Sequence, residues 1–386
     1  MAHIEKRLQA GTLSWRARYR SPDGRERSKT FARRVDADQF LAQVEVDKAR
    51  GSWIDPTRAQ ISVEDWAARW FATTTHLKPK TRYGYASLLR SRILPAFGRT
   101  AIGAIHPIDV AEWLSTMQAD GLSASRCRQA YHVLGSILQA AVGNGRLATS
   151  PCVGVKLPRL PQLDMAFLRP EQLRALLNVV DARYRLFVEV LAIGGLRFGE
   201  AAALRRGRCD LLRSRLIVAE SVADVSGTLH FGAPKTHQRR TVTLPRFLRD
   251  RLGEQLVALE NDESLVFQAP TGGPIRYSNF ARRVWKPALV EAGLPNMGLH
   301  ALRHTCAALL IAQGAHPKAI QSHLGHRSIT TTLDRYGHLF EDEHDRLAER
   351  IDAAYAEVLG EAEAREAPRR AAAETSRGTP GGVIRR

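Results

Sequence analysis

His300-Ala301-Leu302-Arg303-His304-Thr305-Cys306-Ala307-Ala308-Leu309-Leu310-Ile311 begins on cationic and imidazole groups and continues as an apolar run. Cys306, Leu309, Leu310 and Ile311 recur at helical spacing, which predicts a helix opening at His300. Leu324-Gly325-His326 then ends a shorter helix. Ten residues on, Arg335-Tyr336-Gly337-His338 places a tyrosine in a polar, threonine-rich context. Upstream, Gly194-Gly195-Leu196-Arg197-Phe198-Gly199-Glu200 lies between an apolar helix over 186–193 and another starting near Phe198. Strand-like runs over 216–220 and 240–244 bracket a turn-rich stretch with Gly227, Gly232 and Pro234. Pro234-Lys235-Thr236-His237 lies between them, where a hairpin tip would project a lysine. The whole of 165–358 reads as mainly helical, with one small antiparallel sheet.

Towards the N-terminus, 148–164 carries Pro151, Pro158 and Pro161 with little periodicity, the pattern of an extended interdomain linker. Before it, 61–147 reads as an all-helical bundle. Ser62 is a candidate N-cap with Asp65 three residues on, and Trp66, Trp70 and Phe71 follow at helical spacing. Further helices fit 81–94, 107–119 and 123–142, separated by Pro95, Gly98, Gly103 and Gly121. Lys78, Lys80, Arg82, Arg126 and Arg128 decorate its sides, as solvated charges or as contacts to a polyanion. Residues 1–55 read as a small α+β unit, with strands near 13–20 and 25–31 joined through Ser21-Pro22-Asp23-Gly24. Period-two alternation puts Trp15, Ala17 and Tyr19 on one face and Arg16, Arg18 and Arg20 on the other. A helix over 35–50 would cover the apolar face with Phe40, Leu41, Val44 and the stem of Lys48. An arginine-studded sheet face can enter a DNA groove, or it can simply lie solvated. Residues 361–386 lack an apolar face and read as a disordered tail.

Composition narrows the partners. Lys and Arg outnumber Asp and Glu by 57 to 39, a formal net charge of +18 over 386 residues. An excess of that size favours a polyanion, since each neutralised phosphate releases condensed counterions. Cys127, Cys152, Cys209 and Cys306 are scattered without metal-ligand spacing, which argues for reduced thiols. No stretch approaches the ~18 apolar residues of a membrane span, so a soluble, cytoplasmic protein is expected.

Phosphodiester transfer without metal or nucleotide needs a particular set of groups. Negative charge on the non-bridging oxygens must meet preorganised cations, for which the planar fork of arginine is suited. A side-chain nucleophile must attack, and a proton donor must reach the departing 5′ oxygen. Residues 165–358 supply such a set, although each member has a plainer reading. Arg197 could be a helix cap, His326 a helix terminator, and Tyr336 a packing residue no different from Tyr277 or Tyr355. Glu200 could orient Arg197 or complement a helix N-terminus. His300 and His304 are four apart, a zinc-compatible spacing, but no third ligand is signalled. No metal and no cofactor are expected. His304 reads as a buried, hydrogen-bonded helix residue.

The order and spacing of these boxes resemble the tyrosine recombinase family, and within it the phage-type, lambda-integrase-like integrases. That family joins Arg, Lys, His-x-x-Arg, His or Trp, and Tyr in this order, matched here by Arg197, Lys235, His300, Arg303, His326 and Tyr336. The resemblance implies three domains: an arm-type DNA-binding domain at 1–55, with a three-stranded sheet plus helix, a SAM-like helical core-binding domain at 61–147, and the catalytic domain at 165–358. It implies that Tyr336 attacks the scissile phosphate to leave a 3′-phosphotyrosyl bond. Arg197 and Arg303 would clamp the non-bridging oxygens, Lys235 would protonate the 5′ oxygen, His300 would accept the tyrosine proton, and His326 would bond the phosphate. Double-stranded DNA with core and arm sites is the implied partner, bound by a homotetramer. An excisionase and a DNA-bending host factor are further implied partners. Two alternatives stand beside this: a non-catalytic DNA-binding regulator on the same fold, and a transposon-type tyrosine recombinase.

Overall fold

The computed structural model describes residues 2–9, 12–21, 24–49, 57–161, 166–234, 239–337 and 348–358. The chain divides into two compact units, Met1–Leu163 and Asp164–Arg386.

In the first unit, β1 (His3–Gln9), β2 (Thr12–Arg20) and β3 (Glu26–Phe31) form an antiparallel sheet with β2 in the centre. Alternation along β2 buries Ala17 and Tyr19 under α1 (Arg34–Ala49). Tyr19 meets Phe40 edge-on at 5.6 Å, Val44 is buried, and the ammonium of Lys48 lies 5.8 Å from the Tyr19 ring. This is the sheet-plus-helix arrangement expected from the alternation. The opposite face pairs Glu5 with Arg16 and Thr30 in register and carries Arg18 and Arg20 beside them.

The same unit holds the helical bundle. Ser62 caps α2 (Val63–Ala72), its Oγ accepting the Asp65 N–H at 3.0 Å. Trp66 turns inward and its indole donates to Ile137 O at 2.9 Å. α3 (Pro79–Leu88) continues past the point where Pro95 was expected to separate helices, through a π turn at Leu89–Ile93 into α4 (Leu94–Phe97). Pro95 has no N–H for the carbonyl one turn back, and a widened turn absorbs the missing bond. The indole of Trp113 donates to Arg92 O within that turn at 3.2 Å. α5 (Pro107–Ala119) and α6 (Ala124–Gly143) complete the bundle. Ile93, Ile102, Val110, Leu134, Ile137 and Leu138 are fully shielded in its core. Each such burial contributes roughly 1.5–3 kcal/mol. The proline-bearing segment does not leave the helices at once. Cys152 is buried among them, and its carbonyl accepts from Tyr131 Oη at 2.5 Å.

The second unit opens with α7 (Pro170–Val179), α8 (Ala182–Ala192) and the short α9 (Phe198–Ala202). β4 (Cys209–Asp210), β5 (Arg215–Val218), β6 (Ser221–Val225), β7 (Thr228–Gly232) and β8 (Arg240–Thr243) follow. β4, β5 and β8 pair in that order, with Leu216 opposite Val242. Where the sequence showed only turns, β6 and β7 form a second hairpin. Its Ser226-Gly227 turn has both φ angles positive, at 52° and 87°, as a tight two-residue hairpin turn requires. Both strands are only partly buried, and although Leu229 and Phe231 alternate along β7, Val222 shares its face of β6 with Asp224, so no clean apolar face marks the pair. α10 (Arg246–Val257), α11 (Tyr277–Phe280) and α12 (Lys286–Glu291) lead to α13 (His300–Ala312), α14 (Pro317–Leu324) and α15 (Ile329–Tyr336). Phe187 on α8 anchors the core, meeting Phe198, Phe267 and Phe280 edge-on at 5.3, 5.1 and 5.4 Å. Residues 348–358 form one more helix with Ile351, Tyr355 and Val358 exposed. Among the described residues no helix is long and apolar enough to cross a membrane.

Candidate active site

The loop after α8 approaches α13 and α14 more closely than a side chain would allow. Gly195 has φ +66°, and a Cβ there would lie 2.8 Å from both Cys306 Sγ and Leu324 Cδ2. Glycine removes that clash and adopts the left-handed backbone at little cost. The result is that Gly195 O reaches Arg303, accepting from Nη1 at 2.5 Å, while Nη2 of the same guanidinium donates to Leu324 O. Arg303 is 2% exposed. Burial, with the nearby charges of Arg197 and Arg240, pushes its guanidinium down to about 9, still charged at neutral pH.

Arg197 caps α9. Its backbone N–H donates to Glu200 Oε2 at 2.9 Å, its Nη1 to Glu200 Oε1 at 2.8 Å, and its Nη2 reaches Gly325 O at 3.5 Å. Both readings of Glu200 therefore hold, since one carboxylate caps the helix and orients the arginine. Arg240, entering from β8, binds the same carboxylate with both ends of its fork and donates Nε to His323 O at 3.1 Å. Burial works to raise the Glu200 carboxyl. The hydrogen bonds and charge of Arg240, with the charge of Arg197, outweigh it and hold the group at about 2. Three guanidiniums around one carboxylate leave surplus positive charge, suited to a phosphate in flight.

Tyr336 ends α15 at 1% exposure, packed with Cys306, Ala307, Ile311, Ile320 and Leu324. Its hydroxyl lies 2.8 Å from His304 Nδ1. The His326 ring lies nearly parallel to it, at 10° and 6.4 Å, and is fixed by a 2.9 Å bond between Nδ1 and the buried Thr332 hydroxyl. His300 is exposed and meets His304 edge-on at 4.7 Å. The other candidate tyrosines sit elsewhere. Tyr277 packs on Phe198 at 5.1 Å, half exposed, and Tyr355 is exposed on the 348–358 helix.

Two family profiles match, the phage integrase family over residues 166–343 and the phage integrase N-terminal SAM-like domain over 62–118. This chain belongs to the phage integrase family. It is a tyrosine site-specific recombinase. The integrase of Mycobacterium phage D29 is 28% identical over 313 residues, covering 77% of this chain and 82% of that integrase. The fold is shared with the Tn1549 transposon integrase, solved in complex with a circular intermediate DNA, at a TM-score of 0.67 and 21% identity over 75% of this chain and 99% of that one. It is also shared with the lambda integrase, solved as a tetramer bound to a Holliday junction, at a TM-score of 0.54 and 17% identity over 84% and 96% of the two chains.

Of the residues singled out in the sequence, the structure gathers Arg197, His300, Arg303, His326 and Tyr336 around the α8–α9 loop, α13 and α14–α15. Lys235 and His338 lie outside the described residues. Of the basic residues expected at DNA, Arg16 donates to Ser28 Oγ at 2.9 Å, and Arg18 pairs with Glu5 at 3.2 Å and Glu26 at 3.3 Å. Arg20, Lys78 and Lys80 are exposed, and so is Arg126, which bonds Gln129 at 3.1 Å. Arg82 lies 4.5 Å over the Phe71 ring, and Arg128 donates to Pro158 O at 3.1 Å. Sequence reasoning missed two members of the site. Arg240 shares a strand face with the buried Val242, a signal that the arginine points inward and needs an acid. His304, expected to be buried, is half-buried with its hydrogen bond going to Tyr336, and it sits one helical turn from His300 on the same face.

Proposed function

We propose that this recombinase cleaves and rejoins DNA strands through a 3′-phosphotyrosyl bond at Tyr336, inserting a phage or other mobile element and excising it in reverse. The observation that carries this reading is the placement of the Tyr336 hydroxyl, bonded to an imidazole and within electrostatic reach of Arg303. In the forward step Tyr336 Oη attacks phosphorus and the bond to the 5′ oxygen breaks. Arg197 and Arg303 meet the non-bridging oxygens, His326 bonds the phosphate, and Lys235 protonates the departing oxygen. His300, exposed at the mouth of α13, serves acid–base exchange near the phosphate. The phosphodiester energy stays in the covalent link, so the chemistry calls for no cofactor.

Double-stranded DNA is the proposed substrate, bound at core sites by 61–147 with 165–358 and at arm sites by the sheet of 1–55, joined by the 148–164 linker. Tethering the two modules lets two modest affinities combine. The DNA-bound Tn1549 and lambda integrases, and the lambda tetramer on a Holliday junction, support a homotetramer acting on synapsed duplexes. The proposal extends to an excisionase and a DNA-bending host factor as partners, and to the cytoplasm as the place of action.

The test is a set of nicked suicide duplexes tiling the DNA that flanks the gene. The intact protein is expected to form a detergent-resistant adduct on one of them, and Tyr336→Phe to bind that duplex without forming it. Binding without an adduct by the intact protein would favour a DNA-binding regulator and overturn the enzymatic reading.

A further inference from the structure

We propose that His304 is the base that takes the phenolic proton of Tyr336 during cleavage and returns it during rejoining. The proposal rests on the reading of Tyr336 as nucleophile and assigns to His304 the proton that family resemblance alone gives to His300. A phenol of ordinary pKa ~10 attacks poorly at neutral pH unless its proton has somewhere to go. The acceptor must lie within about 2.6–3.2 Å of the oxygen. His304 Nδ1 lies 2.8 Å from Tyr336 Oη. With Nδ1 unprotonated, the phenol donates along this contact, and imidazole is the side chain best matched to accept a proton near neutrality.

The neighbouring imidazoles are arranged differently. His326 stacks parallel to the phenol and so presents its π face to that ring, with Nδ1 committed to Thr332. His300 is exposed and touches His304 edge-on, a position from which it can exchange protons between His304 and solvent. His304 also follows Arg303 directly on α13, and the two carbonyl bonds that lock Arg303 fix the helix turn carrying the imidazole. One element therefore sets the phosphate clamp and the base together.

The balance is simple. The Oη–H proton moves to Nδ1 as the Oη–P bond forms. The P–O5′ bond breaks, and the 5′ oxygen takes a proton from the Lys235 ammonium. In rejoining, each proton returns to its origin.

Single-turnover adduct formation separates the roles, using the suicide duplex and a copy whose scissile 5′ oxygen is replaced by sulfur, a leaving group that departs without protonation. His304→Ala and His304→Asn are each expected to form adduct about 10²–10⁴-fold more slowly on both duplexes, with DNA affinity within about threefold of wild type. Added imidazole should accelerate the alanine variant and leave the wild type unchanged. Sulfur should rescue Lys235→Ala and neither His304 variant. The asparagine variant keeps a hydrogen-bond acceptor near the Nδ1 position without its basicity, and carries the same reading if the alanine variant does not fold. Cleavage by His304→Asn within about threefold of wild type would overturn the proposal by leaving His304 a purely positioning role. Rescue of His304→Ala by sulfur would overturn it by placing His304 at the leaving group. Absence of an adduct with wild-type protein is a different failure, that of the Tyr336 reading itself.

Discussion

Arg240 holds Glu200 with both ends of its guanidinium, Nη1 to Oε1 at 3.0 Å and Nη2 to Oε2 at 2.6 Å, while Arg197 shares the same carboxylate. Both side chains of the forked pair are almost wholly buried. Removing one partner of a buried pair leaves the other without its compensation, at a typical cost of 3–5 kcal/mol. Because Arg197 remains on Glu200, Arg240→Ala is expected at the lower end, about 3 kcal/mol by urea denaturation. Arg240→Lys should recover less than half of that loss, since an ammonium cannot make two parallel bonds. Adduct formation should fall with it, because Arg197 loses the neighbour that fixes its carboxylate.

The same carboxylate sets an acid limit. Glu200 titrates at about 2 in the folded protein against 4.5 ordinarily. Its folded pKa is depressed, so its contribution to stability is complete above the unfolded value and is lost as pH falls through the folded one. The shift corresponds to roughly 3 kcal/mol. The stability difference between wild type and Glu200→Gln is therefore expected to be flat from pH 7 to 5 and to shrink steadily below about pH 4.5. A difference that stays constant down to pH 3 would show that the carboxylate is not held ionised by its arginines.

How far the sequence foretold this site depends on what each residue's neighbours reveal. The boxes around Arg197, Arg303, His326 and Tyr336 were legible because each breaks an apolar helix pattern with a polar group at a helix end. The N-terminal sheet was legible from the alternation of Trp15, Ala17 and Tyr19. Arg240 was passed over because its one cue, the face it shares with Val242, spans a single period of a four-residue strand and does not by itself separate it from its basic neighbours. The β6–β7 hairpin was hidden for a related reason, since neither strand buries a clean apolar face. His304 was read as a buried, hydrogen-bonded helix residue and not as a member of the site, because its partner, Tyr336, lies 32 residues away on another helix. The continuation of α3 into α4 depends on a π turn that accommodates Pro95, which no propensity rule signals.

Gly325 joins two requirements at one backbone position. It ends α14 in the left-handed conformation at φ +67°, and a Cβ there would lie 2.6 Å from Arg240 Cδ. Gly325→Ala must therefore strain the helix cap and push Arg240 off Glu200. A loss of about 2–3 kcal/mol is expected from strain and displaced packing together. Adduct formation should fall more steeply than DNA affinity, because Gly325 O also accepts from Arg197.

Arg303→Lys keeps a positive charge but loses the fork that reaches Gly195 O and Leu324 O together. One carbonyl is left without its donor, at about 1–3 kcal/mol of stability. The phosphate loses an oriented cation, so single-turnover cleavage is expected to drop about 10²–10³-fold with little change in duplex affinity. Equal losses in affinity and cleavage would instead assign Arg303 to general DNA binding.

On the open face of the N-terminal sheet, the three arginines are not equivalent. Arg18 is already paired with Glu5 and Glu26, Arg16 has a neutral partner in Ser28, and Arg20 is exposed at the strand end. A cation neutralised within the protein releases fewer counterions on meeting a phosphate than one that is not. Each full phosphate contact contributes about 0.9 to the slope of log affinity against log salt. With a random-sequence duplex titrated between about 50 and 200 mM salt, Arg16→Ala and Arg20→Ala should each lower that slope by close to one. Arg18→Ala should change it by less than half as much. Glu5→Gln combined with Glu26→Gln should raise the slope by freeing Arg18, and Arg18→Ala in that background should then cost a full contact. Identical slopes across all of these variants would remove the sheet face from the DNA interface and leave binding to the helical bundle and the catalytic unit.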